Sequence, residues 1–353
     1  MFEIDFTINE PFQLESGEVL SEVRLRATIY GKLNAARSNA VLVFHALTGS
    51  SRIGDWWNGV MCDGCALDTS EYAFVCVNYL GSCYGSTSAA TLRKRRTKGG
   101  KSDLPIVTLR DIARANTLLF EHLGIRKFRA VIGGSVGGML ALQFAADHPG
   151  LADRCIAIAA TPLSAMGLAL NHLQRDALGR NDLELARKIA VVSYKSPRQF
   201  AFRFGRKPNR NGEDPGSARD HRFDVGGYLD HHGDRFRDRF EIESYDLITK
   251  AMDLFDLSND DVRRILAKVS LVGISSDWLF PAADVRALRD RLVRSGVDAD
   301  YHEIVSDDGH DAFLSDAAET SRILREILAE PEQYGPTHFL ANKQFAASAV
   351  GCY

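Results

Sequence analysis

The 353-residue chain lacks any apolar run of the roughly 18–20 residues that a membrane-spanning helix needs. Its first residues, MFEIDFTINEPF, have neither the basic start nor the long apolar stretch of a secretory signal peptide. The net charge is only −3, so no overall field attracts a nucleic acid or an anionic membrane. We therefore predict a cytoplasmic globular protein, and the apolar fraction of 45% is typical of that class.

Cysteine is sparse, with six residues that do not form the dense framework of a disulfide-stabilised secreted domain. We therefore expect reduced thiols. Cys62 and Cys65 have the C-x-x-C spacing of a zinc site, but no second pair and no histidines at a matching spacing lie near them in the sequence. We interpret these two residues as loop cysteines and expect no metal site.

Patterns of strands and helices alternate along most of the chain. Residues 3–30 alternate between polar and apolar and predict antiparallel strands, with a turn at Ser16 and Gly17. Short apolar runs then predict buried strands, separated by segments with helical spacing. The runs are NAVLVF, YAFVCV, RAVI, CIAIAA, VSLVGI and ADYHEIV. Such alternation predicts an α/β fold with a mostly parallel central sheet.

Strand signals disappear between residues 162 and 262, where four helical patterns surround a polar stretch. A helical insertion between two strands of one sheet is typical of a lid rather than of a separate domain. We therefore predict an α/β core formed by 1–161 and 263–340, a helical lid at 162–262 and a C-terminal tail at 341–353.

The stretch TLRKRRTKGGKSD at 91–103 is strongly basic. Its cations are Arg93, Lys94, Arg95, Arg96, Lys98 and Lys101. A solvated surface loop accounts for this composition, and contact with the phosphates of a large anionic co-substrate is the alternative. A nucleic-acid-binding arm has no support elsewhere in the chain.

Four glycines surround one serine in FRAVIGGSVGGMLALQFAADHPG, residues 128–150. Gly133, Ser135 and Gly137 fit G-x-S-x-G, in which a nucleophilic serine lies on a sharp turn between a strand and a helix. The residues before the motif predict a strand, and those after it predict a helix that ends before Pro149. Glycines at a sharp bend can also serve packing alone. We interpret Ser135 as a nucleophile.

A serine nucleophile needs a base to take its proton and an acid to orient that base. On this type of sheet the three follow in the chain order serine, acid, histidine. Asp277 follows a late predicted strand and His310 follows the last one, so we predict that they are the acid and the base. Asp277 could instead cap the next helix, and His45 competes with His310 although it precedes Ser135.

An oxyanion hole in this arrangement combines the N–H of the residue after the serine with an N–H from an early loop between a strand and a helix. The first of these is the N–H of Val136. The segment HALTG at 45–49 follows an early predicted strand, and we predict that Leu47 supplies the second.

The chain resembles the homoserine O-acyltransferase (homoserine O-acetyltransferase) family of the α/β-hydrolase fold. Matching segments follow the family order from about residue 12 to residue 330, and the most particular are NYLGSCYGST, YLDHHGDRF and GHDAFL. Others are LESGEVL, YGKLN, VLVFHALTGSS, DWWNGV, VTLRDIARAN, FRFG and SDWLFP. The loop after GST departs from the family, because relatives have a sequence there that is rich in proline and asparagine.

The resemblance implies an α/β-hydrolase fold and a ping-pong reaction in which Ser135 takes an acetyl group from acetyl-CoA and passes it to L-homoserine. Acyl-CoA is then a co-substrate, and no cofactor is permanently bound. The resemblance also implies that Arg203, Tyr228 and Asp311 hold the amino acid, since a guanidinium binds a carboxylate through two bonds and Asp311 could pair with an ammonium group. It further implies that the lid helices form a homodimer and a narrow tunnel.

Other functions stay open. An esterase would use the same triad with water as the acceptor, and a relative could be specific for succinyl-CoA or for serine. A protein that keeps the fold only as a binding module is a third class. The presence of Arg203, Tyr228 and Asp311 favours the transferase over the esterase.

Overall fold

The computed structural model describes residues 1–92 and 104–329. The six cations of the basic stretch and the predicted tail at 341–353 lie outside them.

The fold is built around an eight-stranded sheet with the order β1-β4-β6-β5-β7-β8-β9-β10, and β2 and β3 form a separate pair. The strands are β1 (Phe2–Ile8), β2 (Phe12–Gln13), β3 (Val19–Leu20), β4 (Val23–Tyr30), β5 (Ala40–Phe44), β6 (Ala73–Val77), β7 (Ala130–Gly134), β8 (Arg154–Ile158), β9 (Lys268–Ile274) and β10 (Ala299–Ile304). β1 and β4 pair antiparallel, as do β4 and β6, and every later pair is parallel. The predicted α/β fold with a mostly parallel sheet is therefore confirmed.

Thirteen α-helices accompany the sheet in the described residues. They are α1 (Ile53–Trp56), α2 (Ala89–Leu92), α3 (Leu109–His122), α4 (Val136–Asp147), α5 (Ala165–Gly179), α6 (Leu183–Tyr194), α7 (Pro197–Arg203), α8 (Asp224–Arg237), α9 (Ile242–Asp253), α10 (Asn259–Arg264), α11 (Ala282–Arg294), α12 (Ala312–Ser315) and α13 (Ala317–Ala329). No helix in these described ranges is long and apolar enough to cross a bilayer.

Burial explains why the central strands appear in the sequence as unbroken apolar runs. Every residue of β5, β6, β7 and β8 is buried. Parallel strands that are covered by helices on both faces have no solvent side, so alternation is lost. β1, at the edge, is largely exposed and keeps a mixed pattern. The sheet thus brings the ends of β5, β7, β8 and β9 together in the interior.

The chain between β8 and β9 forms the six helices α5 to α10, which we call the helical insertion. Within it, the Asn171 amide of α5 donates to Asp253 at 2.8 Å, and Lys188 of α6 pairs with Asp230 of α8 at 2.7 Å. The junction of α6 and α7 contacts the core, since Trp278 Nε1 donates to the carbonyl oxygen of Lys195 at 2.9 Å. The helical insertion is therefore anchored to loops at the ends of the parallel strands.

The expectation that all thiols are reduced is wrong for one pair. Cys62 and Cys65 form a disulfide, with their Cα atoms 5.1 Å apart. The turn closes because Gly64 adopts a left-handed φ of 72° and the Cys65 N–H donates to the Cys62 carbonyl oxygen at 2.9 Å. Cys76, Cys83 and Cys155 are free and buried.

Candidate active site

Ser135 lies on the turn that joins β7 to α4. Its backbone has φ 59° and ψ −129°, a strained conformation for a residue with a side chain. A Cβ on Gly133 would lie 2.1 Å from the carbonyl oxygen of Gly137, and one on Gly137 would lie 2.3 Å from that of Phe44. The glycines of G-x-S-x-G are thus required by close backbone contacts around the serine.

Asp277 and His310 are in direct contact. His310 Nδ1 lies 2.7 Å from Asp277 Oδ2, and both side chains are almost completely buried. The other carboxylate oxygen of Asp277 accepts the backbone N–H groups of Leu279 and Phe280 at 2.9 Å each. Asp277 therefore orients the imidazole from a fixed turn, and the N-cap of α11 is Pro281 instead.

The environment of His310 favours its protonated form. Burial acts to lower the pKa of His310, but the charge and hydrogen bond of Asp277 and the charge of Asp311 outweigh it, so the pKa is raised above its ordinary value. The ring stacks on Phe280 at 5.2 Å between centroids and meets Phe313 edge-on at 5.8 Å. These contacts fix the plane of the ring.

His310 Nε2 is buried and has no hydrogen-bond partner among the described residues. This atom is the acceptor when Nδ1 carries its proton toward Asp277. Ser135 and His310 line the same cleft of about 480 Å³, without a hydrogen bond between their side chains in the described structure. Such contacts are often long until a substrate binds.

The cleft is lined from the core and from the helical insertion. The loop after β5 contributes Ala46, Leu47, Thr48, Gly49 and Ser50; the insertion contributes Arg187, Tyr194 and Arg239. The other lining residues are Asp55, Trp56, Tyr84, Ser135, His310, Asp311, Phe313 and Leu314. A serine, a histidine with a free nitrogen and charges of both signs therefore share one cleft.

Leu47 and Val136 are the predicted oxyanion donors. Leu47 lines the cleft, and Val136 is the first residue of α4, so the helix itself leaves its N–H unused. His45, directly before this loop, is fully buried and does not line the cleft. Its ring stacks on Tyr79 at 3.8 Å, its Nδ1 bonds the Ala46 carbonyl oxygen at 2.8 Å, and burial lowers its pKa to about 4.

The three predicted substrate residues are in different environments. Asp311 lines the cleft and forms an ion pair with Lys195 at 2.9 Å. Arg203, at the exposed end of α7, places its guanidinium 4.5 Å from the ring centre of Tyr228. Neither Arg203 nor Tyr228 lines the described cleft.

Two arginines that the sequence reasoning missed, Arg187 and Arg239, line the cleft. Arg239 follows α8, and its Nη1 donates to Thr48 O at 2.9 Å and to Tyr84 Oη at 3.0 Å. Arg187 lies on α6, four residues after buried Leu183 and one after buried Ala186. An arginine on the apolar stripe of a helix is the signal that could have identified it.

No group of three or more His, Cys, Asp or Glu side chains in the described part of the chain could hold a metal ion.

Residues 39–317 match the family model of the alpha/beta hydrolase fold. The homoserine O-acetyltransferase of Methanobrevibacter ruminantium is 36% identical over 92% of this chain and 73% of its own.

Two solved structures share the fold. The homoserine O-acetyltransferase from Bacillus anthracis has a TM-score of 0.83 at 22% identity and covers 95% of this chain and 99% of its own. Esterase E22 has a TM-score of 0.81 at 20% identity and covers 93% of this chain and 99% of its own. At these identities the two structures show a common architecture, and both transferases and esterases occur on it.

Proposed function

Because the chain belongs to the homoserine O-acetyltransferase family of the α/β-hydrolase fold, we propose that it moves an acetyl group from acetyl-CoA to the hydroxyl of L-homoserine. The observation that carries the proposal is the buried bond between Asp277 and His310 at a cleft that also holds Ser135. Family membership makes it an acyltransferase, and the donor and mechanism are the proposal.

In the first half-reaction, His310 Nε2 takes the proton of Ser135 while Oγ attacks the thioester carbonyl carbon. The N–H groups of Leu47 and Val136 donate to the oxyanion that forms. The carbon–sulfur bond then breaks, the proton on His310 passes to the CoA sulfur, and acetyl-Ser135 remains. Asp277 stabilises the imidazolium and holds the reactive tautomer.

In the second half-reaction, the homoserine hydroxyl gives its proton to His310 and attacks acetyl-Ser135. Collapse of the tetrahedral intermediate breaks the bond to Ser135 Oγ, which recovers the proton from His310. The product is O-acetylhomoserine, and the enzyme returns to its starting state. A cleft covered by the helical insertion would favour this transfer, because water competes with the amino acid for the acyl group.

For the amino acid, Asp311 is the best supported of the three predicted contacts because it lines the cleft with Ser135. Lys195, which pairs with Asp311, would have to share this carboxylate with the ammonium group of the substrate. Arg203 and Tyr228 have support only from the resemblance, since their side chains contact one another outside the cleft.

We also propose that residues 162–262 act as a lid and that the lid helices form a homodimer in the cytoplasm. Several large apolar side chains on these helices are exposed, with Phe202 the most exposed at 89%. Others are Met166, Leu173, Leu185 and Val192. Contact with a second copy would remove apolar side chains of this kind from water.

The test is thiol release from acetyl-CoA and from succinyl-CoA, with and without L-homoserine or L-serine. We expect release that depends on acetyl-CoA and L-homoserine together, with O-acetylhomoserine as the product. Release that ignores every amino acid, alongside rapid cleavage of p-nitrophenyl acetate, would instead establish an esterase. The fold shared with esterase E22 makes this the second candidate.

A further inference from the structure

The disulfide between Cys62 and Cys65 lies at the surface of the protein, where a reductant can reach it. The side chain of Cys62 is exposed and that of Cys65 is half-buried. The free thiols in the described part of the chain, those of Cys76, Cys83 and Cys155, are buried instead. In the cytoplasm, the location proposed above, disulfides are usually transient and act in catalysis or redox sensing. The place of this bridge therefore favours a redox role over permanent stabilisation.

The bridge closes a very short loop, so it adds little to the stability of the fold. Only Asp63 and Gly64 lie between the two cysteines, and the constraint on the unfolded chain grows with loop length. The turn is also held by other bonds. The Cys65 N–H donates to the Cys62 carbonyl oxygen at 2.9 Å. The Gly64 N–H donates to Asp68 Oδ2 at 2.7 Å. We therefore expect the reduced protein to stay folded and to change only locally.

The segment before the disulfide reaches the cleft and the loop of the predicted base. Trp56 lines the cleft, and the neighbouring Trp57 is buried. Trp57 Nε1 donates to the carbonyl oxygen of Phe313 at 2.8 Å. The Phe313 ring in turn meets the ring of His310 edge-on, with 5.8 Å between the ring centres. Trp57 thus connects this segment to the residues that fix the imidazole.

Backbone hydrogen bonds join Trp57 to the disulfide turn. The Trp57 carbonyl oxygen accepts the N–H groups of Val60 and Met61 at 2.9 and 2.8 Å. The Leu67 N–H donates to the Val60 carbonyl oxygen at 3.1 Å, so the chain that leaves Trp57 pairs with the chain that returns after the turn. The disulfide ties these two parts of the chain together covalently, directly after Met61.

Reduction changes the spacing of the two sulfur atoms. A disulfide holds them about 2.05 Å apart, whereas non-bonded heavy atoms separate to about 3.5–4 Å. Cys65 has little room to move, since its Sγ lies 3.8 Å from the Gly59 carbonyl oxygen. Gly59 lies close to the start of α13, where a Cβ on it would be 2.6 Å from Cβ of Ala317. Reduction therefore releases the two sides of the turn next to a closely packed contact.

We propose that Cys62 and Cys65 form a redox-sensitive modification site, which a dithiol reductant opens, and that opening slows acylation of Ser135. This inference rests on the proposed function. A thiolate of the reductant attacks the exposed Cys62 Sγ, the bond to Cys65 Sγ breaks, and Cys65 leaves as a thiolate that takes up a proton. The second thiolate of the reductant attacks the mixed disulfide and releases Cys62, which is also protonated. Two electrons and two protons pass to the protein, and the reductant becomes a disulfide.

The direction of the effect follows from the closed form. In the described structure the disulfide is closed while Trp57 holds Phe313 beside His310. Loosening the segment lowers the fraction of molecules with this arrangement, and small displacements of catalytic groups are costly. Neither cysteine lines the cleft, so reduction removes no group from it. Reduction should therefore lower the rate and leave substrate binding nearly unchanged.

The experiment compares two redox states of the same full-length protein. Oxidised glutathione closes the bridge, dithiothreitol opens it, and gel filtration under nitrogen removes either reagent before the assay. Alkylation followed by mass spectrometry reports the state of Cys62 and Cys65, and circular dichroism checks the fold in each state. The burst of p-nitrophenol from p-nitrophenyl acetate reports acylation of Ser135 without an acceptor. Ser135→Ala in each state corrects for ester cleavage by free thiols.

Two variants accompany the wild type. The double variant Cys62→Ser and Cys65→Ser is the matched control, because it keeps every other cysteine of the chain. Trp57→Phe removes the N–H group that donates to Phe313 and keeps an aromatic ring in its place. Transfer to L-homoserine is followed as O-acetylhomoserine by mass spectrometry, since a thiol assay would also detect the reduced cysteines.

We expect reduction to slow both the burst and the transfer of the wild type by about fivefold, with KM for L-homoserine within about twofold. Reoxidation should restore both rates. The double serine variant should have the rate of the reduced wild type in both states. Trp57→Phe should be slow in both states, so that its ratio between the states falls toward one. A change confined to the surface turn would not couple to Trp57 in this way.

Three results would overturn the assignment. The wild type could have equal rates in the two states, the double serine variant could keep the response, or Trp57→Phe could keep the full ratio. If Trp57→Phe does not fold, the double serine variant decides alone. Failure of the proposed function is distinguishable, because the oxidised wild type would then show no turnover that depends on L-homoserine while the burst still reports the redox effect.

Discussion

Arg239 joins the helical insertion to the loop that carries the predicted oxyanion donor. Its Nη1 lies 2.9 Å from the carbonyl oxygen of Thr48, the residue that follows Leu47. The same nitrogen lies 3.0 Å from Tyr84 Oη, and Tyr84 itself adopts an unusual φ of 72°. The insertion is thereby tied to the part of the core that would stabilise the developing oxyanion.

Removal of this connection should slow catalysis. We expect Arg239→Met to reduce kcat for acetyl transfer by about tenfold, because small displacements of catalytic groups are costly. Tyr84→Phe is the matched control, since it removes one acceptor and leaves Thr48 bound to Arg239. Steady-state kinetics with acetyl-CoA and L-homoserine measure both. An unchanged kcat in Arg239→Met would show that the loop holds its position without the insertion.

The strained turn at Ser135 gives a paired prediction of activity and stability. Ser135→Ala and Ser135→Gly should both reduce acyl transfer by at least about 10⁴-fold, because the proposed nucleophile is lost. Ser135→Gly should exceed Ser135→Ala in free energy of unfolding by about 1 kcal/mol, since glycine tolerates φ 59° without strain. Urea unfolding compares the two variants, and equal stability would argue against strain at this residue. Residual transfer near the wild-type rate would exclude Ser135 as the nucleophile.

The raised pKa of His310 fixes the direction of the pH dependence. In the proposed mechanism the neutral imidazole is the base, so the acylation rate should fall as the pH drops through a pKa above the ordinary histidine value. Asp277→Asn removes the main group that raises this pKa. The acid limb of the pH–rate profile should therefore move to lower pH, while the acylation rate falls by about 10⁴-fold. Asp311→Asn should move the limb in the same direction by less. The burst rate between pH 5 and 9 measures these shifts, and a limb that stays in place in Asp277→Asn would contradict the assignment.

The sequence predicted the sheet well because strands and turns are specified by residues that are neighbours in the chain. Central strands buried on both faces must be continuous apolar runs, and the turn at Ser135 accepts only glycine at Gly133 and Gly137. Asp277 and His310 were predicted as a pair from the chain order serine, acid, histidine, and the structure brings the two side chains into contact. Their catalytic roles stay predictions.

The rest of the site depends on how distant elements pack, which residue spacing does not reveal. Arg187 of α6 lines the cleft together with Ser135 although the two lie on different elements, and Arg239 reaches Thr48, 191 residues earlier in the chain. The stacking of Arg203 on Tyr228 likewise depends on the contact between α7 and α8. The Cys62–Cys65 disulfide was missed because composition indicated reduced thiols overall and said nothing about one tight turn.

The proposed dimer can be tested at the most exposed apolar side chain of the helical insertion. Phe202 is 89% exposed on α7, and a charge there should prevent burial of this surface against a second copy. We expect Phe202→Asp to convert the dimer to a monomer at micromolar concentration, as measured by size-exclusion chromatography with light scattering. Val305→Asp is the matched control, because Val305 is 75% exposed but follows β10 in the core. Dimers that persist in Phe202→Asp and dissociate in Val305→Asp would place the interface on the core instead.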